Sequence, residues 1–97
     1  MSVTATLRVV PQGTEVPRPD RIRDAAERLQ ELGIRVINTG QFSVIIMTDE
    51  RRFERVLGVR APARNTLFAQ DIQPPERSLQ GIVDRVEIAP QVQYLDM

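Results

Sequence analysis

The sequence has 97 residues, with thirteen positive charges against thirteen negative ones and a formal net charge of zero. Every cation is an arginine, and Lys, His, Cys and Trp are all absent. Those absences exclude a Ser-His-Asp triad, a lysine Schiff base, a P-loop, a disulfide, and a zinc site built from the usual sulfur and nitrogen ligands.

Carboxylate chemistry stays open, but the composition favours a non-catalytic binding or regulatory domain, and no cofactor is expected. The length suits one domain, with roughly 60–65% of the unfolded chain's surface buried around a single core. A nucleic-acid partner is not expected. Phosphate-binding surfaces carry an excess of cations, whereas these arginines alternate with acids, as in Arg21-Ile22-Arg23-Asp24 and Glu50-Arg51-Arg52-Phe53-Glu54. The longest apolar run, Val44 to Met47, falls far short of the ~20 residues that span a bilayer. No basic segment leads into an apolar one at the N-terminus, so a cytoplasmic location is expected.

In chain order, Ala5, Leu7 and Val9 alternate with Thr4, Thr6, Arg8 and Val10, which predicts a strand with one apolar face. Pro11-Gln12-Gly13 ends it. Pro17-Arg18-Pro19-Asp20 opens a helix, with Asp20 expected as its N-cap. Ile22, Ala25, Ala26, Leu29 and Leu32 then lie on one helical stripe. Glu27 and Glu31 each have an arginine four residues away, and Gly33 sits where a left-handed C-terminal residue belongs.

Ile34 to Asn38 predicts a second strand, Asn38-Thr39-Gly40-Gln41 a turn with Gly40 at positive φ, and Phe42 to Met47 a third strand. A connection this short predicts an antiparallel hairpin. Thr48-Asp49 caps a second helix whose buried stripe is Phe53, Val56 and Leu57, and Gly58 closes it. Leu67 to Ile72 is a short strand candidate. Pro74-Pro75 introduces a short helix, with Leu79, Ile82 and Val83 at helical spacing. Val86 and Ile88 face inward on a last strand that Pro90 ends. Gln91 to Met97 is left as a tail, so residues 1–97 read as one domain with a tail at 91–97.

This order predicts an α+β, ferredoxin-like βαββαβ fold: a four-stranded antiparallel sheet with two helices on one face. The helix-covered face takes Leu7, Val9, Ile34, Val36, Phe42, Val44, Ile46, Val86 and Ile88. The open face takes Thr6, Arg8, Arg35 and Ser43, together with Val10, Ile37, Ile45 and Met47. The last four are unusual on a solvated face and point to a covering partner.

The plan of elements, the helix ending at Gly33, the strand–turn–strand around Gly40 and the run Phe53-Glu54-Arg55-Val56-Leu57-Gly58-Val59 resemble the propeptides of subtilisin-like serine proteases. The resemblance is nearest to the activation domains of the sedolisin (pro-kumamolisin) group. Leu67-Phe68-Ala69, Pro74-Pro75 and Leu79 to Ile88 follow in the same order, so it spans Ile22 to Ile88. Each motif is small and apolar. What the resemblance implies is a folding chaperone and inhibitor of a subtilase. Ile37, Ile45 and Met47 would lie on the docking face. Tyr94, Leu95, Asp96 and Met97 would run as an added strand into the nonprime subsites.

Two features depart from the pattern. A propeptide is ordinarily followed by its protease, whereas Met97 is the last residue here, so a freestanding inhibitor or chaperone, or a domain recruited elsewhere, is expected. Asp96 also sits poorly in a cleft that favours apolar side chains.

Other readings share the same residues. The same apolar face, or the edge strands, would serve a structural domain that self-associates into a homo-oligomer. An ACT-like sensor would use loops near Gly33 and Gly40. A carboxylate enzyme would have to draw on Asp49, Glu50 or Asp71.

Overall fold

The computed structural model describes residues 2–13, 15–63 and 67–89. It contains two α-helices and a five-stranded antiparallel sheet. The elements are β1 (Ser2–Val9), α1 (Pro19–Glu31), β2 (Arg35–Thr39), β3 (Ser43–Asp49), α2 (Glu50–Leu57), β4 (Phe68–Asp71), a 3-10 turn (Arg77–Leu79) and β5 (Val83–Ile88). Across the sheet the order is β2-β3-β1-β5-β4. The expected four strands are therefore one too few: β4 adds an outer strand beside β5, pairing Phe68 with Ile88 and Asp71 with Arg85.

The alternation in β1 sets the layers. Ala5, Leu7 and Val9 are buried, and they pair across the sheet with Ile46, Val44 and Val83. These residues join Ile22, Ala25 and Leu29 of α1 and Phe53, Val56 and Leu57 of α2 in one core. Both helices thus cover the same sheet face. Of the residues expected beneath them, Leu7, Val9, Ile34, Val44, Ile46 and Val86 are buried, and Val36 and Ile88 pack against the core from its margin.

Phe42 is the exception, at 48% exposed. It lies in the connection before β3, where its carbonyl accepts the Val9 N–H at 2.8 Å, and the helix layer leaves its ring half uncovered. Val10 also falls outside its expected place. It lies past the end of β1 and is half-buried, with its N–H bonded to the Ile82 carbonyl.

Several local expectations are corrected. The N-cap of α1 is Arg18, not Asp20, because Pro19 takes the first helical position; its fixed φ suits that place and its missing N–H costs nothing there. Gly33 has φ 82 and Gly58 has φ 75, but Gly40 is not at positive φ. It closes the hairpin by donating its N–H to the Ser43 carbonyl. Along α1 the ion pair that forms is Arg28–Asp24, rather than one to Glu27 or Glu31. The segment after Pro75 makes only a 3-10 turn. Gly81 at φ 75 ends it, and Val83 enters β5.

Arginines join the layers. Arg21 on α1 donates to the Val10 and Gly81 carbonyls, both at 2.6 Å. Arg28 donates to the Ser78 carbonyl at 2.9 Å. Together they tie α1 to the end of β1 and to the connection that leads into β5.

Candidate functional site: the open face of the sheet

The second sheet face carries no helix. Its residues follow from the registers. Thr4 pairs with Met47, which pairs with Arg35; Thr6 pairs with Ile45 and with Glu87; Arg8 pairs with Ser43 and with Arg85; Asp71 pairs with Arg85. Ile45 and Met47 are half-buried on this face, in the phase that the alternation predicts. Ile37 is 42% exposed. It does not simply alternate: the β2–β3 register shifts between Val36 and Asn38, so Ile37 is the extra residue of a bulge.

The face divides into two halves. On the β1–β5–β4 side it is ionic. Arg8 makes a two-pronged bond to Asp84, at 2.8 and 2.7 Å. Arg85 reaches Asp71 at 2.8 Å and Glu87 at 3.0 Å. The hydrogen bond that Arg8 donates to Asp84 holds it more firmly protonated than a free guanidinium. Glu87 first, and then Asp71, do the same for Arg85. The two guanidiniums are thus each paired with carboxylates at the surface, which relieves the direct Arg8–Arg85 cross-strand pairing. On the β2–β3 side the face is apolar, with Ile45 and Met47 flanked by Thr4 and Thr6. Arg35 stands beside Met47 with no acidic partner among the described residues.

Spacing alone could not have identified this ionic half. Asp71 and Asp84 reach the face only because β4 adds to β5 and because the β1–β5 register shifts between Arg8 and Val9.

Asp49 caps α2 by accepting the Arg52 N–H at 2.8 Å, Asp71 pairs with Arg85, and Glu50 is exposed in the first turn of α2. Among the described residues, no group of three or more potential ligands gathers to hold a metal ion, and no helix is long and apolar enough to cross a membrane. An open groove of about 540 Å³ lies between the Pro74-Pro75 segment and the Gln80-Gly81 turn, with Asp84 as its one charged lining residue. Tyr94, Leu95, Asp96 and Met97, the tail half of the expected site, lie outside the described residues.

Comparison with protein-family models, with curated proteins and with solved structures found no match.

Proposed function

We propose that this chain is a non-catalytic protein-docking domain of ferredoxin-like type, acting as an inhibitor or folding chaperone of a subtilisin- or sedolisin-type serine protease. The ferredoxin-like reading treats β4 as an added edge strand. Without it, the order β2-β3-β1-β5 is that of a split βαβ sheet with two crossover helices on one side. The protease reading rests on the resemblance to subtilase propeptides in elements and motifs from Ile22 to Ile88.

One observation carries the docking reading: the uncovered sheet face is mainly apolar on its β2–β3 half and internally ion-paired on the other. Ile45 and Met47 offer carbon to a partner, while Arg8 and Arg85 are already satisfied. A partner that covers the first half meets one unpaired charge among the described residues, Arg35, so it strips water from a single isolated group, the usual cost of polar interfaces.

The test is inhibition of a subtilisin-type protease by the purified chain. Stoichiometric slowing of peptide hydrolysis is expected. Ile45→Arg should weaken it by about tenfold or more, since a charge placed at a desolvated contact costs several kcal/mol. Circular dichroism should show that this variant remains folded. Absence of both inhibition and complex formation at micromolar concentrations would remove the proposal.

A further inference from the structure

The two edges of the sheet are not alike. At one edge, β2 carries a bulge between Val36 and Asn38 and the free charge of Arg35. Both are devices that blunt an edge against strand addition. At the other edge, β4 has neither. It runs from Phe68 to Asp71 without a register shift, contains no proline, and its one charge, Asp71, is occupied by Arg85.

The direction of the backbone groups on β4 follows from one bond. The Ile72 N–H donates to the Asp84 carbonyl at 2.9 Å. In an antiparallel ladder the bonded pairs recur every second residue, so Phe68 and Gln70 bond inward to β5. Ala69 and Asp71 therefore aim their N–H and C=O groups outward, and among the described residues no backbone bond meets them. Leu67, at 75% the most exposed of the large apolar residues described, flanks this edge.

We infer that β4 is a self-association edge, occupied by β4 of a second copy. The outward groups repeat with two-fold symmetry. When Gln70 of one copy faces Gln70 of the other, Ala69 of each faces Asp71 of its mate, and four backbone hydrogen bonds form. No like charges meet in that register, and the two sheets join into one of ten strands. Both open faces stay free in such a dimer, so this inference stands apart from the docking proposal.

Sedimentation equilibrium from micromolar to millimolar concentrations tests it. A concentration-dependent dimer is expected. Ala69→Pro removes an outward N–H and no bond to β5. It should keep the fold while weakening the dimer by about tenfold or more, since two net hydrogen bonds are lost. Gln70→Glu and Gln70→Arg should each weaken self-association by charge opposition at the two-fold axis, and mixing the two should restore a heterodimer. If the proline variant misfolds, the Gln70 pair decides the matter. A chain that stays monomeric throughout overturns the inference. So does a dimer that ignores the Gln70 charges or is lost in Ile45→Arg, the latter marking the open face as the contact instead.

Discussion

The Asp49 carboxylate accepts the Arg52 N–H, and that bond holds its pKa below the ordinary carboxylate value. A group whose pKa is depressed in the folded state stabilises the fold above its unfolded pKa, and that contribution is lost as pH falls through the folded value. Asp49→Ala should therefore lower the Tm at neutral pH by roughly 4–8 °C, the usual effect of losing a cap in a domain of this size. Thermal scans should show the gap closing below the carboxylate range; a gap independent of pH would contradict this account. Such a cap is legible in sequence because it depends on only four consecutive residues. Asp20 misleads for an equally local reason, since Pro19 pre-empts the first helical position and shifts the cap to Arg18. Phe42 was legible as apolar but not as exposed, because it falls in the hairpin connection before β3. Ile37 was expected on the open face and is exposed there, but the bulge that places it is a product of strand pairing.

Helix α2 ends at Gly58, whose φ of 75 lies in the left-handed region. A Cβ placed there would meet Pro75 Cδ at 3.0 Å, whereas one at Gly81, also at φ 75, would meet nothing within 4 Å. The left-handed conformation costs an L-residue about 1–2 kcal/mol. Urea denaturation should thus show Gly58→Ala losing about 2 kcal/mol or more and Gly81→Ala about 1 kcal/mol. The reverse order would mean that Pro75 does not brace the end of α2. Helix α1 was legible because its apolar stripe repeats over several turns, and α2 because Asp49 caps and Gly58 ends the single-turn stripe of Phe53, Val56 and Leu57. The stretch after Pro75 was not, because Leu79, Ile82 and Val83 share a helical spacing by coincidence. Gly81 divides them between a 3-10 turn and β5. β4 was visible as a strand, but its addition to the edge depends on long-range pairing that no local pattern encodes.

At the scale of the whole molecule, alternation correctly separated the two sheet faces and marked Ile45 and Met47 as apolar residues outside the helix-covered core. It could not reveal that the other half of that face is closed by ion pairs between β1, β4 and β5. The uncovered face is therefore apolar over one half rather than over the whole sheet. The absence of cysteine makes this directly measurable. Thr4→Cys places a single thiol on the open face beside Met47, and Glu27→Cys places one on the exposed side of α1. Thiol-labelling rates should be compared with and without a catalytically silenced subtilisin-type protease in excess. The account predicts that labelling at position 4 slows by about tenfold or more while position 27 is unaffected, since a docked partner excludes reagent from the contact alone. Equal rates at position 4 with and without the protease would contradict it.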